Sequence, residues 1–172
     1  ELEIEPFEGL TLWPGLRMQV LDYVAEDQPL IDPRLVEGRT LLEIDPRMTL
    51  RYQVIDRLSL KGQAGKYSQP ALPPQFYFNA DLPFQKAVQY SGGLDLDIID
   101  RLTLDLQGFY RYSDDIGQVT SDVEVVNGKL RPVGYRATGV RRSYGMEVFL
   151  RLENRWDVFG WVAYTLSRSE NK

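Results

Sequence analysis

The stretch Leu41-Leu42-Glu43-Ile44-Asp45-Pro46-Arg47-Met48-Thr49-Leu50-Arg51-Tyr52-Gln53 decides how this chain is read. Leu42, Ile44, Pro46, Met48, Leu50 and Tyr52 fall on one side of it. Glu43, Asp45, Arg47, Thr49, Arg51 and Gln53 fall on the other. A period of two marks a strand, because successive side chains of extended backbone point to opposite faces. Leu102, Leu104, Leu106, Tyr110 and Tyr112 repeat the pattern against Thr103, Asp105, Gln107 and Arg111. Met146, Val148, Leu150 and Leu152 repeat it against Glu147 and Arg151. No stretch of similar length carries the i, i+3, i+4, i+7 spacing of an amphipathic helix.

The pattern predicts about eight strands, over residues 1–5, 10–23, 40–53, 58–68, 87–99, 102–112, 139–152 and 159–168. Connections at 6–9, 54–57, 100–101 and 153–158 are short. Those at 24–39, 69–86 and 113–138 are long and hold Pro, Gly, Asp and Asn, the residues of turns and loops. The expected fold is therefore all-β: an antiparallel up-and-down meander with one trim end and one ragged end. Val54-Ile55-Asp56-Arg57-Leu58-Ser59-Leu60 resembles Ile98-Ile99-Asp100-Arg101-Leu102-Thr103-Leu104, which reads as two similar hairpins rather than a duplication. Pro14 and Pro46 cannot donate to a ladder, so each calls for a bulge or an unpaired position.

One face of these strands is free of charge. The even positions within 10–20, 42–52, 58–64, 88–98, 102–112 and 144–152 make 33 residues with no Asp, Glu, Lys or Arg, where a composition of 26% charged residues would place about nine. The odd face carries Arg17, Glu43, Asp45, Arg47, Arg51, Lys61, Asp95, Asp97, Asp105, Arg111, Arg141, Glu147 and Arg151, whose mixed signs can pair across neighbouring strands. Two architectures share this alternation. A soluble, lipocalin-like ligand-binding barrel turns the apolar face inward. A transmembrane barrel turns it to lipid and the charges to a wet lumen.

Three features favour the membrane. The strands are long, against ~5–6 residues in globular sheets. The connections are asymmetric, as in bacterial outer-membrane barrels with short periplasmic turns and long extracellular loops. Aromatics gather towards strand ends, which suggests two interfacial girdles. Tyr90, Tyr110, Tyr112, Tyr144 and Tyr164 lie towards the long connections; Phe7, Trp13, Tyr52, Trp156, Phe159 and Trp161 lie towards the short turns. With short turns on the periplasmic side, strand 1–5 runs down and strand 159–168 runs up, which puts both termini outside. A complete small barrel has both termini in the periplasm, so a small closed outer-membrane barrel with a structural or adhesive role is the weaker membrane alternative. The preferred expectation is one partial barrel domain, residues 1–172, continued at both ends within a larger wall.

Composition removes other classes. The chain has 172 residues, net charge −5 and pI near 4.9, without the basic stripe of a general nucleic-acid binder. It has no Cys and no His, so thiolate chemistry, disulfides and the commonest general base and metal ligand are missing. No signal peptide pattern is visible and no apolar run approaches the ~18–20 residues of a membrane helix.

Several segments in order resemble the barrel of TonB-dependent outer-membrane receptors. They are Asp45-Pro46-Arg47 with Leu50-Arg51-Tyr52, Leu58-Ser59-Leu60-Lys61-Gly62, Tyr67-Ser68-Gln69-Pro70, Gln89-Tyr90-Ser91-Gly92-Gly93-Leu94, Phe109-Tyr110-Arg111, Ser143-Tyr144-Gly145-Met146-Glu147-Val148, and 160–169 (GWVAYTLSRS). The resemblance covers nearly the whole chain. It implies about eight middle-to-late strands of a 22-stranded barrel in the bacterial outer membrane, a parent with a plug domain, coupling to the TonB complex, and uptake of a scarce nutrient such as a ferric siderophore, cobalamin or glycan. The implied partners are outer-membrane lipid, the plug, the remaining strands and a small-molecule or metal-chelate ligand, with no nucleic acid. It implies no enzyme activity, no cofactor and no catalytic residue. The segment before Gln89, Asn79-Ala80-Asp81-Leu82-Pro83-Phe84-Gln85-Lys86, departs from the Asn-Pro and Leu-Lys-Pro-Glu run that relatives often carry there.

Candidate site residues divide into two groups. Tyr67 and the loop aromatics Phe76, Tyr77 and Phe78 could cap a vestibule and stack on ligand, or pack on a plug or another loop. Glu43, Asp45, Arg47, Arg51, Asp95, Asp97, Asp105, Glu147 and Arg151 are expected as lumen charges. Asp95, Asp97 and Asp105 lie close enough to act as paired carboxylates or to bind a hard cation, but pairing with basic groups on adjacent strands is preferred. Asp114, Asp115 and Asp122 match no calcium-loop spacing, so no metal site is expected.

Overall fold

The computed structural model describes residues 2–23, 39–72, 75, 79, 81–126, 128–155 and 157–172. They form one antiparallel sheet of eight strands paired in sequence order: β1 (Ile4–Phe7), β2 (Leu10–Tyr23), β3 (Arg39–Ile55), β4 (Leu58–Gln69), β5 (Gln85–Ile99), β6 (Leu102–Val126), β7 (Lys129–Arg155) and β8 (Val158–Asn171). The meander is as expected, and β2 has the expected bounds. The first strand sits at Ile4–Phe7 instead of 1–5, because Phe7 still pairs with Leu10 before Gly9 makes the turn at φ +83°. The connection expected at 24–39 lies outside the described residues up to 38.

The largest correction concerns residues 113–138. They are not a loop but the upper halves of β6 and β7, paired from Ile116–Gly139 to Val126–Lys129. Alternating Val119, Val123 and Val125 and the dipeptide Asn127-Gly128 carry this hairpin. Gly128 has φ +75°, as a tight hairpin turn requires. A bulge with Asp115 at φ +54° separates the hairpin from the sheet below.

Away from the bulges beside the turns, register carries parity across β2 to β8 in the lower sheet, so even residues meet even residues. Leu12, Leu50, Gly62, Gly92, Gly108, Met146 and Leu166 form one cross-strand row on β2 to β8. Pro14, Met48, Ala64, Tyr90, Tyr110, Tyr144 and Arg168 form the row above it, and the row below ends Leu60, Leu94, Leu106, Val148, Tyr164. This apolar face does not fold into a core: Leu50 is 36% exposed, Leu16 72% and Leu166 57%. Tyr164, placed by the sequence reading near the long connections, pairs with Val148 in the middle of the band. Trp13, Phe159 and Trp161 fall on the odd face, with Trp161 stacked on Phe149 at 6.0 Å, so they do not belong to a girdle on the even face. Phe7 does reach the even face, edge-on to Tyr52. Trp156 lies outside the described residues.

The apolar band crosses the ladder obliquely. Towards the long connections, the first charge on the even face of β2 is Asp22, ten residues beyond Leu12; on β8 it is Arg168, two beyond Leu166. Lys86, Asp114 and Arg142 on the strands between stop it at intermediate levels, and Lys66 stops it early at a break in the wall described below. Eight residues at ~3.4 Å over six strand spacings of ~4.8 Å give a slope of about 40°. The other edge descends the same way, from Glu8 through Asp56 to Asp100. Strands in a membrane barrel tilt by ~35–45°, and a level band of lipid then crosses the ladder at that angle.

Both prolines lie where the ladder lacks a neighbour. Pro14 pairs with Met48 on β3 but lies past the last β1–β2 pair, Ile4–Leu12. Pro46 pairs with Leu16 on β2 but lies just past the last β3–β4 pair, Arg47–Gly65. The buried apolar residues among those described lie elsewhere: Leu82 and Phe84 in the segment before β5, Ala87 on β5 and Val133 on β7. Asn79 Nδ2 donates to the Tyr135 carbonyl at 2.8 Å and anchors that segment.

Candidate functional site

The odd face sorts its charges by level. Reading down from the level below Glu43 and Gln85, Arg17 pairs with Asp45 on one side of the β3–β4 break, and Tyr67, Ala87, Ser113 and Arg141 form a row on the other. The next row holds Gly15, Arg47, Gly65, Gln89, Arg111, Ser143 and Ser169. Then comes a row without charge: Trp13, Thr49, Gln63, Ser91, Phe109, Gly145 and Ser167. Arg51, Lys61, Glu147, Asp95, Asp105, Asp97 and Arg151 all lie below it.

The lower charges are mostly paired. Asp95 and Asp105 stand directly opposite each other on β5 and β6, which repels. Lys61 Nζ answers both, at 3.0 Å from Asp95 and 2.5 Å from Asp105. Arg51 adds a contact to Asp95 at 3.7 Å, Thr103 Oγ1 donates to Asp97 at 2.9 Å, and Arg151 meets Glu153 at 2.9 Å. The expected pairing with basic groups is present, with a lysine as the hub. Arg51, Asp95, Asp97, Thr103, Asp105 and Arg151 line a cleft of about 480 Å³ together with Phe149. Each of these carboxylates is engaged by a cation or a hydroxyl.

The upper half is built differently. Asp45 is 1% exposed and joins three strands. Ser68 Oγ and the Ser68 backbone N–H donate to its carboxylate at 2.5 and 3.1 Å, and Gln19 Nε2 donates to it at 3.0 Å and to the Ser68 carbonyl at 2.9 Å. Above Arg47–Gly65 the β3–β4 backbone ladder has stopped, while β2–β3 continues to Tyr23–Arg39 and β4–β5 to Gln69–Gln85. Asp45 thus closes by side chain a seam that backbone leaves open. Lys66 bonds Glu43 at 2.6 Å across the same seam, and Lys86 bridges Glu43 and Asp115 at 3.6 and 3.4 Å.

Arg17, Lys86, Arg111 and Arg141 line an upper cavity of about 570 Å³ with Tyr67, Gln19, Gln69, Gln75, Gln85 and Ser113. Tyr67 OH accepts from Gln63 Nε2 at 2.8 Å, and its ring lies over Gly65. Arg17 meets only Gln19, Arg141 only Asn171, and Arg47 and Arg111 have no ion-pair partner among the described residues. Arg47 lays its aliphatic stem over Gly15 and Gly65, where a Cβ would collide with it. Phe76, Tyr77 and Phe78 lie outside the described residues. Asp115 is held by Lys86 and Asp122 by Arg136 at 2.7 Å. The sequence reading missed Arg17, Lys86, Arg111 and Arg141 as a group; only cross-strand register brings them together.

A long-stranded open meander, charge-free on one face and crossed by an oblique apolar band, defines the wall of a transmembrane β-barrel. The chain belongs to the family described as TonB dependent receptor-like, beta-barrel, whose profile matches residues 1–172. No curated protein matches it in sequence. Among solved structures, it is similar to the alcaligin outer-membrane receptor FauA of Bordetella pertussis, at TM-score 0.70 and 18% identity over 98% of this chain and 29% of that one. It is also similar to the FrpB iron transporter of Neisseria meningitidis, F3-3 variant, at TM-score 0.69 and 14% identity over 95% of this chain and 23% of that one. The chain thus spans less than a third of either structure.

Proposed function

We propose that residues 1–172 form consecutive strands in the wall of a bacterial outer-membrane receptor that takes up a scarce nutrient, such as a ferric siderophore, cobalamin or glycan, driven through the TonB complex. The even face contacts lipid and the odd face a wet lumen. The observation that carries this reading is the tilted, charge-free band of the even face, which a water-exposed sheet has no reason to keep. The lower charges face the lumen near a plug domain, and the upper cavity with Tyr67 faces incoming ligand at the end of the long connections. Phe76, Tyr77 and Phe78 belong to this ligand side in the proposal. The role is transport; the paired carboxylates of the lower half need no catalytic assignment.

The test uses the absence of Cys in this chain. Single cysteines at Leu104, Leu106 and Val148 of the full-length protein in membranes should carry probes quenched by brominated lipid. Cysteines at Gln107 and Ser91 should react with aqueous thiol reagents through the lumen. The reverse pattern, or a full-length protein that stays monomeric in buffer without detergent, removes the reading.

A further inference from the structure

We infer that the upper cavity selects ligands by negative charge, with Arg111 and Arg141 as the specificity-determining residues. The inference rests on the receptor reading above and narrows it to an anionic ligand, in the first instance an anionic metal chelate. The two odd-face rows above the uncharged one hold four guanidiniums, Arg17, Arg47, Arg111 and Arg141, and one carboxylate, Asp45, while Glu43, one level higher, is taken up by Lys66 and Lys86. That carboxylate is buried and already accepts from Ser68 and Gln19, and no ion pair joins it to any of the four arginines. Arg111 and Arg141 are diagonal neighbours, since Arg111 pairs with Ser143 and Ser113 with Arg141. Like charges so placed repel, at a cost to the sheet. Lower in the same face the sheet avoids that cost by setting Lys61 between two opposed aspartates. The uncharged row between the two zones keeps the lower acids from serving the upper arginines.

Guanidiniums that are exposed, fixed on strands and without a carboxylate partner among the described residues are prepared for charge-assisted hydrogen bonds to oxygen anions. The neighbouring amides of Gln69, Gln75 and Gln85 add neutral donors to the same cavity. The lower aspartates oppose an anion, so it rests at the upper rows instead of sliding through.

The experiment uses the purified full-length protein in detergent and two probes of similar size, an iron(III) tris-catecholate carrying net negative charge and a neutral iron(III) tris-hydroxamate. Binding is read by quenching of intrinsic tryptophan fluorescence. The anionic probe should bind at least about tenfold more tightly, and its affinity should fall several-fold between about 0.05 and 0.5 M salt as screening increases. Arg111→Gln with Arg141→Gln should weaken the anionic probe by about tenfold or more and leave the neutral one unchanged. Arg57→Gln, which removes a cation from the turn between β3 and β4, should change neither. Heat-modifiable mobility on gels confirms that each variant is folded.

Tighter binding of the neutral probe overturns the charge inference and leaves the receptor reading standing. So does binding of the anion that ignores salt or the double substitution. Loss of heat-modifiable folding in the double variant means the arginines answer an acidic segment of the protein itself, which also overturns it. Binding of neither probe counts against the inference, while the cysteine pattern above judges the receptor reading separately.

Discussion

Leu106 and Gln107 are neighbours on β6 and obey opposite rules. Leu106 stands in an apolar row with Leu60, Leu94 and Val148; Gln107 stands between Gly93 and Glu147 in a charged one. In a water-soluble sheet the first would be buried and the second solvated by bulk water. Here the apolar side is the outward one, and the polar side closes on itself through ion pairs. Burial of the apolar face is supplied by the surroundings, since among the described residues the buried apolar side chains are Leu82, Phe84, Ala87 and Val133, none of them on that face of the band.

The sharpest way to break the comparison is to exchange the two environments. Leu106→Arg in the full-length protein should lose about 2–4 kcal/mol in urea unfolding from lipid vesicles, whereas Gln107→Arg, beside Glu147, should stay within about 0.5 kcal/mol of the parent. Equal effects would mean the two faces share one solvent. Asp45→Ala should come next, at about 1–3 kcal/mol, because it strands the Ser68 N–H and hydroxyl and the Gln19 amide at a buried point. Lys61→Met leaves Asp95 facing Asp105 and should cost about 1–2 kcal/mol, mostly recovered by adding Asp105→Asn. Arg168→Ala, which breaks an exposed pair with Glu170 on one strand, should move stability by less than about 0.5 kcal/mol in the same measurement.

Much of the wall was legible because alternation and turn chemistry act locally. Leu10–Tyr23 and the turns at Asp56-Arg57 and Asp100-Arg101 needed no knowledge of partners. The prolines announced a break in pairing, and Pro46 marks one. The upper β6–β7 hairpin was missed although Asn127-Gly128 between valine-rich flanks is a strong hairpin signal; the Asp, Gly and Ser around it weighed as loop. Distance from the strand end points to a girdle for Trp13 and Trp161, but parity puts both on the odd face. The upper arginines were out of reach for a different reason. Arg17 and Arg141 are far apart in sequence, and a count of seven basic against six acidic residues on one face shows balance where register shows separation.

The stitched seam at Asp45 has a mechanical consequence. A backbone ladder shares load over many bonds, but above Arg47–Gly65 the β2–β3 ribbon is tied to β4 and β5 by a few side chains. A two-stranded ribbon has little stability of its own. Compliance at the rim is therefore concentrated in one notch: the wall yields there while the fully laddered strands beside it stay stiff.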